Sequence, residues 1–461
     1  MRKIYYTICL LGTFIALGFG QKSALRLEST VTKSIINAAE EGQPIFLPQQ
    51  ELEFHPVAND LMDQELKDRY PRLRSYYLFD NSGVNIGDLI TTSDKIYYNI
   101  EKSNGQISSL FFDHALGKYR LEETTDIYWT CAAEELADKV QSSSRSDIGK
   151  YSYGDDLQSF RLAIITTGEF YEQHGNTDDL VLADIVKTIS GVNRIFERDF
   201  SLNFTLSGRV KLYSDKNTDP YTPTGNGGSN RTIQSANAFD DDFDPDAYDL
   251  GITFNAFSDG WPGGGEAVVQ SACDPGTTLN GPTKARIWAA SIGMADNGFT
   301  VLVAHEIGHA FGARHTMNSD AELCADAVSP DNAYEIGSGS TIMSYGGRCG
   351  EGDDYVEADE VINNYFHFSS LYLMSQYVKT LGCQTVLSTD NTPPDITVNP
   401  CNMDAFQIPL GTPFSIDAEG SDEESDNLTY VWEQFDEDGN GSPNLGFLGP
   451  EASLSARGPL F

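Results

Sequence analysis

"TVLVAHEIGHAFGARHTMN", residues 300–318, places three of the chain's seven histidines within eleven positions. On a helix of about 3.6 residues per turn, His305 and His309 project from one face, one turn apart. Two imidazoles so placed can reach one metal ion. Glu306 stands beside the first of them, where a carboxylate can polarise a water on the metal without entering the coordination sphere. A helix continued to residue 315 would carry His315 about 120° away from the pair. The helix must therefore stop, and Gly312 supplies the stop, because glycine accepts the left-handed backbone that ends helices. His315 then completes a three-nitrogen site with one open position, which is the arrangement of catalytic rather than structural zinc.

The run "HEIGHAFGARH" resembles the HExxHxxGxxH signature of the metzincin metallopeptidases. Downstream, "TIMSYGG" resembles their Met-turn, with Met343 placed 28 residues after His315 as a packing residue in the floor of the site. The resemblance implies an α/β metzincin-type catalytic domain, a twisted mixed sheet plus an active-site helix. It further implies hydrolysis of peptide bonds by a zinc-activated water, with Glu306 as general base and polypeptides as substrates. "GGGEAVVQSACD" is similar to the edge strand of the reprolysin or adamalysin branch, which pairs with extended substrate by strand addition. That likeness sets residues 265–272 along the substrate, with Gly265 and Ala267 in contact with it. It also implies two disulfides, Cys273 with Cys383 and Cys324 with Cys349. Two positions depart from the branch. Reprolysins usually carry aspartate directly after the third histidine, where this chain has Thr316. Tyr345 follows Met343 by two residues, as in astacins and serralysins, where such a tyrosine approaches the zinc or the reacting carbonyl. For Tyr345 a catalytic role and an ordinary buried tyrosine both stay open.

Outward from this core, the chain reads as several units. "MRKIYYTICLLGTFIALGFGQKS" has Arg2 and Lys3 before an apolar run and reads as a secretory signal peptide over residues 1–20, so export and an extracellular location are expected. After its removal six cysteines remain, and in an oxidising compartment they favour disulfides over zinc thiolates. Residues 21–150 carry alternating strand-like runs and end in the Ser-rich "QSSSRSDIGK", with Arg145 and Lys150 as points for proteolytic nicking. They read as a β-rich pro-segment, with an ordinary N-terminal domain as the other reading. Cys131 lies in it. As a thiolate on the zinc it would keep a zymogen silent; acidic neighbours in "TCAAEE" oppose that, and a free thiol or a bond to Cys401 is the alternative.

The catalytic domain is expected over residues 155–385. "FRLAIITT", residues 160–167, reads as its first strand. In "DDLVLADIVKTISGVNRIFERDFS" the spacing of Ile185, Ile189, Val192 and Phe196 predicts a helix with one buried face. Two strands, "SLNFTLSGRVKLY" and "YDLGITF", follow around a polar loop. Residues 395–461, after the tandem Pro393–Pro394, read as a partial β-sandwich of the immunoglobulin or cadherin kind, since only about 65 residues are present against the ~100 of a whole one. "DEDGNGSPNLGF", residues 436–447, begins like a calcium loop but ends on Phe447 where a bidentate glutamate is needed, so an EF-hand is rejected and calcium is left to the acidic loops. A net charge of −38 argues against nucleic acid and anionic lipid as partners. No insertion into a membrane is expected once the signal is gone, and the protein is expected to be a monomer. The competing readings are a secreted adhesion or binding protein with a vestigial metal site, which would not need Glu306, and a zinc hydrolase acting on something other than peptides.

Overall fold

The computed structural model describes residues 23–102, 106–114, 116–124, 130–131, 153–222, 229–256, 264–276, 281–291, 297–319, 321, 324–347, 349, 363–398, 415 and 417–433. The expected signal peptide, the Ser-rich linker, Cys401 and the loop at 436–447 lie outside the described residues. Among the described residues no helix is long and apolar enough to cross a membrane.

The N-terminal region is β-rich, as read from its alternating runs. Strands β1 (Ser23–Leu25), β2 (Ile45–Phe46), β3 (Glu53–Ala58), β4 (Arg74–Phe79), β5 (Asn85–Thr91), β6 (Ile96–Glu101), β7 (Ile107–Asp113) and β8 (Lys118–Thr124) form an antiparallel sheet in the order β1-β8-β7-β6-β5-β4-β3-β2. Two helices, α1 (Ser29–Glu40) and α2 (Gln64–Arg69), interrupt the strands. Alternation divides the sheet's apolar residues between two cores. Ile96, Tyr98 and Ile100 pack with Ile35, Ile36 and Ala39 of α1. Tyr97, Ile90 and Phe111 join the large core of the following region instead.

That following region is a mixed sheet. After β9 (Thr130–Cys131) come β10 (Asp156–Thr166), α3 (Gly168–Gln173), α4 (Asp178–Phe200), β11 (Leu202–Leu212), α5 (Ser229–Asp242), β12 (Leu250–Ala256), β13 (Gly264–Ala267), β14 (Ile287–Ser291) and α6 (Asn297–Ala310). The strand order is β11-β10-β12-β14-β13-β9. Pairing is parallel from β11 to β14 and antiparallel between β14 and β13. Short strands β15 (Met317–Asn318) and β16 (Glu335–Ile336) pair in parallel below α6, and α7 (Phe368–Val378) follows. Then β17 (Thr385–Ser388) returns to β10, so the sheet extends past Cys383. The expected C-terminal sandwich is represented among the described residues by one two-stranded ladder, β18 (Asp395–Val398) with β19 (Glu419–Ser421).

Helix α4 departs from the expectation of a single buried face. Every residue from Val181 to Phe196 is buried, including Asp184, Lys187 and Arg194. The cause is the N-terminal sheet, which covers the polar face of the helix. Arg194 bonds Asp88 of β5 through Nε at 3.2 Å and Glu101 of β6 through Nη1 at 2.6 Å. Ser190 donates to the other Asp88 oxygen at 2.8 Å, and Asn59 donates to Ser190 at 3.1 Å. Burial holds the Asp88 carboxyl above its ordinary pKa even with Arg194 beside it.

The N-terminal region also meets both edges of the mixed sheet. At one edge Leu206 of β11 donates its N–H to the Leu61 carbonyl at 2.7 Å and accepts from the Asp63 N–H at 2.9 Å. At the other edge β9 pairs in parallel with β13, Cys131 opposite Gly265. An Asp88→Ala substitution leaves Arg194 buried with one carboxylate fewer, and is expected to cost about 3 kcal/mol. Urea unfolding checks this, and a loss below about 1 kcal/mol would contradict it.

Candidate metal centre and active site

Residues 298–310 are buried throughout, so α6 runs through the interior with its histidines shielded. It ends where the sequence places the stop. Gly312 has φ +103° and its N–H returns to the His309 carbonyl at 2.8 Å, while Ala313 N–H reaches the Gly308 carbonyl at 2.9 Å. The reversed chain carries His315 back beneath the helix. The three Nε2 atoms lie 3.1 Å (His305 to His309), 3.2 Å (His309 to His315) and 3.3 Å (His305 to His315) apart.

Each ring is oriented from behind by a backbone carbonyl. Nδ1 of His305 donates to Ile342 O at 2.7 Å, that of His309 to Ala313 O at 2.8 Å, and that of His315 to Ala327 O at 2.6 Å. A carbonyl only accepts, so each Nδ1 carries the proton and each neutral Nε2 presents a lone pair. Burial pushes the His309 pKa well below its ordinary value and that of His315 down to about 4, which keeps both rings neutral at pH 7. Three converging lone pairs repel one another until a cation stands between them. Their separations match the ~3.3 Å edge of a tetrahedron with metal–nitrogen bonds of about 2.0 Å, so the residues fit zinc. The carbonyls that set the tautomers belong to the backbone, and no feature of the sequence points to them.

The Met343 segment closes the floor. A Cβ added at Gly308 would stand 2.8 Å from Met343 Sδ, so a larger residue there would have to push the Met343 side chain aside. Thr316 N–H donates to the Met343 carbonyl at 3.1 Å, which joins this turn to the third histidine. Both disulfides implied by the resemblance are formed, Cys273–Cys383 and Cys324–Cys349.

Glu306 is fully buried, and among the described residues its Oε1 has no hydrogen-bond partner. Its Oε2 lies 3.5 Å from Cys131 Sγ, which in turn stands 3.5 Å from His309 Nε2. The donor atoms of Cys131, His305, His309 and His315 all lie within 4.8 Å of one another. Cys131 is a free, buried cysteine; Cys401, its alternative partner, lies outside the described residues. Burial first, and the Glu306 charge second, push its thiol pKa well up; a cation at the cluster would act in the opposite direction. The Tyr345 hydroxyl is buried and donates to the Cys131 carbonyl, and its ring packs edge-on to His315 at 5.1 Å.

Gly265 and Ala267 lie on β13, with Gly265 against Glu306. The strand is shorter than the sequence suggested. Residues 270–272 do not extend along an edge but turn under α6, where Gln270, Ser271 and Ala272 give their N–H groups to the carbonyls of His309 and Ala310. The C-terminal carbonyls of the helix need donors, and this segment supplies them.

Residues 156–365 match the family described as "Metallo-peptidase family M12B Reprolysin-like". That segment, somewhat less than half of the chain, is similar to reprolysin-like metallopeptidases, in line with its histidine motif. No curated protein matches. Among solved structures, the chain is similar to metalloproteinase-II from Bacteroides fragilis at 12% identity and a TM-score of 0.38, covering 71% of this chain and 87% of that one. It is also similar to mature mirolysin from Tannerella forsythia, in complex with a cleaved peptide, at 14% identity and a TM-score of 0.31, covering 49% and 94%.

A Cβ at residue 265 would stand 2.3 Å from Glu306 Oε1. Gly265→Ala should therefore displace the carboxylate and lower peptide hydrolysis about a hundredfold with the fold kept. Hydrolysis at the unsubstituted rate would show that Glu306 does not need this position.

Proposed function

We propose that the chain is the latent form of a secreted zinc-dependent endopeptidase, in which residues 21–150 are a removable pro-segment and residues 155–385 the catalytic domain. The observation that carries this reading is the convergence of three imidazole lone pairs, at the edge of a sheet, beside a buried carboxylate oxygen that has no partner among the described residues. His305, His309 and His315 would hold the metal. Zinc, when bound, supplies a Lewis acid and brings the pKa of water toward ~7.

Glu306 then accepts a proton from the attacking water through Oε1 and returns it to the leaving amine. Burial raises the Glu306 carboxyl pKa, and a cation held by the three imidazoles would act in the opposite direction, keeping the group as the carboxylate that the step needs. β13 orders the substrate by pairing with its extended backbone. In the latent chain β9 fills that position, so substrate and pro-segment compete for one edge. Tyr345 donates to a peptide carbonyl of β9, and we assign it the same task toward the carbonyl of the scissile bond, where negative charge develops.

Cys131 is the natural blocking group, because its sulfur stands where a fourth donor would complete the histidine set. Export is supported by the two disulfides, which suit an oxidising compartment. An intact Glu306 disfavours a purely adhesive protein.

In the processed protein Glu306→Ala should retain zinc and lower kcat/KM by about 10²–10⁴-fold, whereas a chelator should abolish activity. Full activity in the Glu306→Ala variant would remove the general base from this account. In the unprocessed chain Cys131→Ala should produce measurable cleavage of a quenched peptide, and a chain as silent as the unsubstituted one would remove the thiol from it.

A further inference from the structure

Glu335, the first residue of β16, accepts four hydrogen bonds. Thr316 Oγ1 donates to Oε2, and so does Thr341 Oγ1 at 2.6 Å; the N–H groups of Ser340 and Thr341 donate to Oε1 at 2.8 and 3.0 Å. A carboxylate has about four lone-pair sites, so its acceptor capacity is filled. The Glu335 N–H is used as well, bonding the Thr316 carbonyl at 2.8 Å.

Among the described residues the donors come from two segments. One is Thr316, directly after His315. The other is the turn at 340–341, directly before Ile342, whose carbonyl fixes His305, and Met343, whose carbonyl takes the Thr316 N–H. Glu335 is thus the tie between the third histidine and the floor of the site. Thr316 is uncharged where the reprolysin pattern has aspartate, and its hydroxyl turns toward a carboxylate that arrives from nineteen residues downstream. We infer that Glu335 is a positioning residue, holding His315 and the Ile342–Met343 floor in mutual register so that the three imidazoles keep their metal. The inference rests on the reading that those imidazoles hold one.

The test uses the full chain with the Glu335→Gln variant, loaded with zinc or cobalt(II). Glutamine keeps the volume but offers only one acceptor oxygen and turns an amide N–H₂ toward the donors. Metal loss to a chelator should be about tenfold faster, near the low end for residues behind metal ligands because Glu335 touches no imidazole itself, and the cobalt absorption bands should shift. Returning a carboxylate from the opposite side, in the Thr316→Asp/Glu335→Gln double variant, should restore metal retention to within about threefold of the unsubstituted chain, which a merely structural loss would not allow. Should Glu335→Gln fold poorly, Thr341→Val, which deletes one donor, should show a smaller change in the same direction. If the unsubstituted chain holds metal and Glu335→Gln releases it no faster with the same cobalt bands, the inference fails while the proposed function stands. If the unsubstituted chain binds no metal in stoichiometric amount, both fail.

Discussion

Three neutral imidazole nitrogens facing one another at 3.1–3.3 Å are the constraint on which the rest depends. Such an arrangement is unfavourable without a cation, so the fold must hold it in place by other means. It does so with the buried helix α6, the turn at Gly312 and the three carbonyls behind the rings. Apolar packing supplies the energy for this, as the core around α6 contains Phe299, Val301, Leu302, Ile307 and Phe311, each of them buried. A fully buried side chain of this size contributes roughly 1.5–3 kcal/mol.

The same economy explains how the N-terminal region sits on the rest. A mixed sheet has two edges, and unpaired edges invite other strands. Residues 61–63 occupy the β11 edge and β9 occupies the β13 edge, while the face of the N-terminal sheet covers the charged side of α4. The contact at β13 sets Cys131 against the histidines, and the other two contacts fix the region that carries it. Latency in the proposed function therefore draws on the docked sheet that carries the thiol as well as on the thiol itself.

Much of the site was legible because its geometry is local. The i, i+4 histidines need only the helical repeat, and Gly312 only its backbone freedom. Other features were not legible because distant segments create them. The second buried face of α4 depends on Asp88 and Glu101, about a hundred residues earlier, so the apolar period alone suggested one face. Helix α5 stood unread behind a Gly-rich loop. β9 has two residues, too few to carry an alternation. The strand at 265–272 was read too long, since "AVVQSA" is apolar for a different reason, namely that it lies beneath the end of α6. Glu335 has no periodic relation to either segment it joins.

X-ray absorption at the zinc edge of the intact, unprocessed chain tests the central claim most directly. The account predicts one zinc per chain with three nitrogen donors and one sulfur donor, the sulfur vanishing when Cys131 is replaced by alanine. A zinc shell made of oxygen donors, or purified chain without zinc, would contradict it.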